Sequence, residues 1–445
     1  MLSSEHIYQT LDGAYETTSG QYTTLPYSAP DTDYAQYLRN LRQPFIKLCR
    51  LRFLNPDGST AFALDNNEHN PRSKAFITDG IINVNLQNGQ RRTANVTIAN
   101  AGDEYEYAYG KMWFGQEVAL DEGMVLPSGE IYYIPQGIFL IDNPSEQIQP
   151  NRKTVTYNLV DKWSFIDGSH FGNLEGAYEV DAGTNIFAPI ISLLSEDRGN
   201  GLPIDRITPV ITNYYNSMTQ ELPDGTTVSI TDAPYTLTVE SGTIADVILG
   251  LCKMVNAWVG YDASGALRID PSQDDVADAD KPVAWEFSQD ETTLLGLTYT
   301  VKNTEVFNDY IVVGEQLDNY AQPCARAQNY DPKSDTNINI IGRKTKRENA
   351  SGFGTDQMCM DYAVWKLKRA TVLNKAVTIQ ASQVLHIREN QLVTVQRTDK
   401  EGSPTERHLV QGFSRPLVGT GSMTINAISV YDIPDLDIAS GNTTS

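Results

Sequence analysis

Histidine is the side chain most often used to move protons or hold a metal near neutral pH, and this sequence has five: His6, His69, His170, His386 and His408. None stands in HExxH, HxH or another ligand spacing. His386 and His408 alternate within strand-like runs and read as surface or packed residues. Four cysteines, Cys49, Cys252, Cys324 and Cys359, make no CxxC pair. They read as reduced thiols from a reducing compartment, with no zinc motif. There is no GxSxG, no P-loop and no GxGxxG opening a helix, so the usual handles of serine hydrolases, NTPases and dinucleotide enzymes are missing. Gly352-Phe353-Gly354 is too short to cradle a phosphate and marks a loop.

Carboxylates offer two further chemistries. The stretch from Asp270 to Asp280 holds Asp270, Asp274, Asp275, Asp278 and Asp280, which supply oxygen ligands of the kind calcium takes. It lacks the EF-hand order, and a solvated linker is the plainer reading. Asp103-Glu104 with Glu106, or Asp121-Glu122, would serve a glycosidase only across a cleft roughly 5–10 Å wide. Sequence neighbours in turns do not supply one. The single basic cluster is Arg343, Lys344, Lys346 and Arg347, read as a loop before a helix. Its takers are DNA or, better for so acidic a chain, an acidic partner subunit; a plain solvated loop fits equally.

Composition narrows the class. The net charge is −22 over 445 residues. Such a chain is a poor grip for nucleic acid, which is held by Lys and Arg, and an anionic membrane repels it. The N-terminus has neither the basic start nor the apolar stretch of a signal peptide, and no apolar run is long enough to span a bilayer. The expectation is therefore a protein made in the cytoplasm, without stable membrane insertion and without a cofactor. The length implies two to four domains at about 100–200 residues each.

The elements are mostly strands. Residues 1–43 read as an extended polar arm with a short helix from Asp33, whose apolar face is Tyr34, Tyr37, Leu38 and Leu41. From Pro44 the period becomes two. Strand candidates follow at Gly80–Leu86, Arg92–Ile98, Glu117–Leu120, Glu130–Ile134, Gly137–Asp142 and Thr154–Val160. Turn clusters such as Asn55-Pro56-Asp57-Gly58 separate them. This spacing implies a sandwich or small barrel over 44–168. Residues 169–285 form an α+β unit. It has a helix over Thr184–Leu194, a second helix capped by Ser241 or Thr243, and a hairpin about Asp262-Ala263-Ser264-Gly265. A second β domain covers 286–433, with a helix inserted at 355–370 and Thr355 as its cap. Thr336–Ile341 is expected to be one of its strands. Residues 434–445 read as a flexible tail. The fold class is mainly β with α+β insertions.

One order of short patterns brings a family into view. Arg91-Arg92-Thr93-Ala94-Asn95-Val96-Thr97-Ile98 leads to Lys111-Met112-Trp113-Phe114-Gly115, then Ile134-Pro135-Gln136-Gly137-Ile138-Phe139, then Tyr157-Asn158-Leu159-Val160-Asp161-Lys162-Trp163. Later come Ala257–Ile269, Asn390–Val395 and His408–Phe413. This order resembles the tail-hub (baseplate hub) proteins of tailed bacteriophages, over roughly residues 75–432. The resemblance implies two β-barrel tube domains flanking a small α+β domain. It implies homotrimers whose six barrels form a pseudo-sixfold ring, joining the tail tube and distal tail protein to the tip or receptor-binding proteins. The ring would surround the channel for the tape-measure protein and then DNA, which passes without sequence-specific binding, and the protein would reside in the virion. With no clear extension after the second barrel, no enzyme is expected. The alternative is a carbohydrate- or receptor-binding β-sandwich protein at a particle tip, with Tyr and Trp stacking on sugars.

Overall fold

In the computed structural model the described residues are 33–67, 75–100, 105, 112, 115–150, 152–211, 231–271, 281–301, 304, 306–316, 321–350, 352–371 and 375–430, with the short strands 7–9, 15–17, 22–23, 219–221, 227–229 and 438–441. Period-two sequence sets the first barrel. In β1 (Lys47–Leu54), Leu51 and Phe53 turn fully inward while Arg50 and Arg52 are half-buried on the other face. The chain then turns at Asn55–Gly58, where Gly58 has φ 86° and Asp57 Oδ1 accepts a bond from Ser59 N at 2.8 Å. β2 (Thr60–Asp65), β3 (Ala75–Asn85), β4 (Arg92–Asn100), β5 (Glu117–Val125), β6 (Ile131–Gln149) and β7 (Arg152–Asp161) complete a ring of pairing in the order β3–β2–β1–β5–β6–β7–β4, and β4 returns to β3. The ring closes between β2 and β3 through the single pair Asp65 and Phe76, which leaves the start of β2 exposed. Glu130–Ile134 and Gly137–Asp142, expected as separate strands, are parts of the one long β6.

The middle unit holds both helices and strands. α1 is the early helix Asp33–Asn40; α2 covers Phe187–Ser195 with Pro189 in its first turn, where its missing N–H costs nothing. α3 (Ile244–Met254) starts at a capping box: the Thr243 side chain accepts from Asp246 N and Asp246 returns to Thr243 N. Trp258 shares the periodicity of α3 but belongs to the next strand, since α3 stops and Asn256 takes φ 50°. β8 (Ala257–Tyr261) and β9 (Leu267–Pro271) form the expected hairpin.

The second barrel pairs in the order β11 (Leu294–Val301), β15 (Lys375–Ala381), β18 (Met423–Val430), β17 (Thr405–Pro416), β16 (Leu392–Gln396), β10 (Val283–Ser288), and among the described residues its end strands β11 and β10 do not pair with each other. It therefore begins just before residue 286. The insertion between β11 and β15 is larger than a helix: β12 (Asp309–Val313), β13 (Cys324–Asn329), β14 (Thr345–Asn349) and α4 (Asp356–Thr371) form a unit with its own small core. Thr355 Oγ1 caps α4 by accepting from Met358 N at 3.2 Å. Thr336–Ile341 is not a strand. Asn337 caps a helical turn at Ile338–Ile341 by accepting from Asn339 N, which overrides the alternating isoleucines. In the tail, Ile438–Gly441 pairs with β13 as strand β19, so that stretch is not loose.

Candidate functional site

The two barrels are one continuous sheet of 13 strands, and β17 is where they fuse. Its first half pairs with β16 (Leu409 opposite Leu392), and its second half pairs with β3 (Phe413 opposite Val84). The switch occurs at a bulge between Val410 and Gly412. Glycine is required there by close approach: a Cβ on Gly412 would lie 2.4 Å from the Val84 carbonyl oxygen. Apolar residues of both barrels, among them Phe53, Phe139, Phe287, Phe413 and Ile425, share a single core.

Beside this strand the seam is charged and buried. Glu122 and Arg415 are fully buried and ion-paired across it, and Lys47 Nζ lies 2.5 Å from the other oxygen of Glu122. Burial pushes the Glu122 carboxyl up, but Arg415 and Lys47 overcome that and hold it below its usual range. Gln136, also fully buried, donates to the Leu385 carbonyl at 3.1 Å and accepts from Arg415 at 2.9 Å. Arg388 donates to the Pro135 carbonyl at 2.8 Å; burial pulls its pKa down to about 10. Arg92 grips Glu389 at 2.6 Å and the Gln136 carbonyl at 3.1 Å. The loop Gln383–Glu389 of the second barrel is thus bonded to Pro135 and Gln136 of β6 and to Arg92 of β4 in the first.

Helix α1 clips the same seam. The Tyr37 ring lies 5.5 Å from Tyr132 of the first barrel and 5.5 Å from His386 of the second. Its hydroxyl accepts from Leu385 N at 3.1 Å, which leaves its own proton for His386 Nδ1 at 2.9 Å. His386 must then carry its proton on Nε2, which donates to the Ala284 carbonyl at 3.0 Å. Burial lowers the His386 pKa to about 4, in keeping with a neutral ring.

The α+β unit docks on the first barrel through the turn between β3 and β4. Asn88 Oδ1 accepts from Val259 N at 2.9 Å, and Gly89 N donates to Val259 O at 3.0 Å. Lys162 is buried beneath it, paired with Asp205 and bonded to Gly265 O at 2.9 Å.

The basic cluster lies elsewhere, on an exposed sheet edge rather than in a loop. Lys346 and Arg347 are within β14, and Arg343 and Lys344 lead into it. Arg343 stands 3.9 Å from Asp309, and Lys346 lies 5.5 Å from the Phe307 ring. Of the other chemistries weighed, Asp121 is held by Arg50 and Arg52 at 2.9 and 2.7 Å, and its neighbour Glu122 is committed to the seam. Asp103, Glu104, Glu106 and residues 272–280 lie outside the described residues. His386 and His408 are packed. Among the described residues no group of His, Cys, Asp and Glu is placed to hold a metal. Among the described residues no helix is long and apolar enough to cross a membrane. The seam residues escaped sequence reading, although Gln136 in the apolar run Ile134–Phe139 was a usable signal.

No family model matches the sequence, and no curated protein matches it. Solved structures do. The tail protein from Neisseria meningitidis MC58 aligns at 10% identity and TM-score 0.54, over 87% of this chain and 97% of that one. The 43 kDa tail protein of prophage MuSo2 from Shewanella oneidensis aligns at 12% identity and TM-score 0.52, over 86% and 98%. At such identities the likeness is one of architecture, and it spans nearly the full length of both relatives: this chain has the fold of phage tail proteins.

Proposed function

We propose that this protein is a structural hub subunit of a phage tail tip or baseplate. The observation that carries the proposal is the buried, ion-paired seam, which joins two barrels in one chain into a single piece. Three such pieces around a threefold axis present six barrels at near-equal angles, a ring able to continue a sixfold tube. A joint that bent would spoil those angles. Buried charge pairs are a costly way to make two domains adhere, but they specify one geometry. In this role the protein is not an enzyme. The ring joins the tail tube and distal tail protein to the tip, surrounds the conduit for tape-measure protein and DNA, and becomes part of the virion after assembly in the host cytoplasm. The far end of the β6–β7 hairpin, exposed from Ser145 to Pro150 with Ile148 at 71% exposure, offers a contact to a neighbouring ring. The acidic net charge keeps passing DNA from adhering. The test is the mass and symmetry of the purified protein by native mass spectrometry and electron microscopy. A threefold ring with a central hole is expected; a stable monomer at all concentrations sinks the reading.

A further inference from the structure

Strand β14 forms the outer edge of its sheet: it pairs in parallel with β12 on one side and with no described strand on the other. It is not a frayed segment. Thr345 Oγ1 donates to Asp309 Oδ2 at 2.6 Å, and Glu348 accepts from Tyr362 at 2.9 Å and from Tyr310. Its remaining side chains, Thr345, Lys346, Arg347 and Asn349, are exposed. The helical turn before it leaves Ile340 63% and Ile341 43% exposed, side by side. A held, open edge with apolar anchors beside it is the geometry of strand addition.

The charge selects the occupant. Four cations fall within residues 343–347 of a chain that carries −22. The seam cations Lys47, Arg92 and Arg415 are ion-paired, whereas Arg347 makes no ion pair among the described residues. An identical basic edge would be repelled, so a two-fold contact of this edge with itself is excluded. The same chain has a complementary edge. Among the described residues strand Tyr178–Val180 pairs only with Leu237–Val239, and Glu175, Glu179 and Asp181 around it are exposed. A basic edge on one copy and an acidic edge on the next make a head-to-tail contact, the type that closes rings.

We infer that β14 of one copy docks against the Tyr178–Val180 edge of a second copy, with Ile340 and Ile341 as apolar anchors. Nucleic acid is the other taker of cations, disfavoured by the overall charge. The inference rests on the ring reading above, and the experiment separates the two. Sedimentation velocity of the full chain is measured across concentration and salt for the wild type, for Arg347→Glu, for Ile340→Ser, for Glu179→Arg, and for Arg347→Glu combined with Glu179→Arg. We expect the wild type to self-associate more weakly as salt rises. Each single variant, folded by circular dichroism, should weaken association at least tenfold, and the paired exchange should recover it to within threefold. Rings that persist unchanged in Arg347→Glu and Ile340→Ser overturn the docking edge and leave the hub reading standing. Failure of the paired exchange to recover association overturns the acidic counterpart. A wild type that never associates overturns the hub reading itself. DNA binding lost in Arg347→Glu, with association unchanged, reassigns the edge to nucleic acid and overturns the inference.

Discussion

Glu122 and Arg415 meet with neither side chain exposed to water, one contributed by each barrel. Lys47 shares the same carboxylate. Removing the acid leaves two cations stranded, whereas removing Arg415 leaves Glu122 one partner. Breaking a buried pair costs about 3–5 kcal/mol. Glu122→Leu should therefore destabilise by at least that range, and more than Arg415→Met. Urea titration measures both; equal or negligible losses contradict the picture of a shared anion.

Gly412 has no room for a methyl group against the Val84 carbonyl. Gly412→Ala should cost about 1–3 kcal/mol as the backbone shifts. The loss should concentrate at the pairing of β17 with β3. Amide hydrogen exchange would show Phe413 to Arg415 opening faster, with the β17–β16 pairing less affected. Uniform acceleration across both barrels would argue against a local clash.

Tyr37→Phe keeps the ring between Tyr132 and His386 but removes a hydroxyl that serves two buried partners. Leu385 N would be left unsatisfied, at a cost of about 1–3 kcal/mol. The change should also register in the imidazole nitrogen shifts of His386, which loses its Nδ1 donor. A variant as stable as the wild type, with unchanged shifts, would detach α1 from any clamping role.

Burial lowers His386 and His408 from 6.5 to about 4. In the unfolded chain both take up a proton near their ordinary value, and in the folded one only near 4. Between those limits the unfolded state binds more protons, so stability rises with pH. Acidification from about 6.5 to 4 should thus weaken the fold, by roughly 3 kcal/mol for the fully buried His386. Urea midpoints at several pH values check this; a flat profile over that window refutes it. The buried Glu122 and Glu389, both held below their usual range, add further loss in stronger acid.

Thr243→Ala deletes one half of the capping box and should cost about 1 kcal/mol, seen as a lower melting temperature. Thr243→Ser, which keeps the acceptor, should lose far less.

Local signals were the legible ones. Thr243 with Asp246, Thr355 with Met358, Pro189 in a first turn and Asp57-Gly58 at a bend each act within a few residues, so their chemistry can be read in order along the chain. The alternation that marked β1 was equally plain. What alternation hides is the difference between a polar side facing water and one facing another barrel. Lys47, Arg92 and Arg415 look like solvent positions, and only the docking of the Gln383–Glu389 loop makes them interior. Thr336–Ile341 failed for a different reason: its isoleucines repeat at a strand's period, but Asn337 supplies the cap that favours a turn. The basic residues after it were noticed for their charge, yet their place on a sheet edge depends on pairing with β12 at long sequence range.

Strand β17 runs 12 residues without interruption from one barrel's wall into the other's. A twist applied to the first barrel is delivered to the second through covalent backbone rather than through a compliant joint. The chain then acts as a lever whose two ends must turn together.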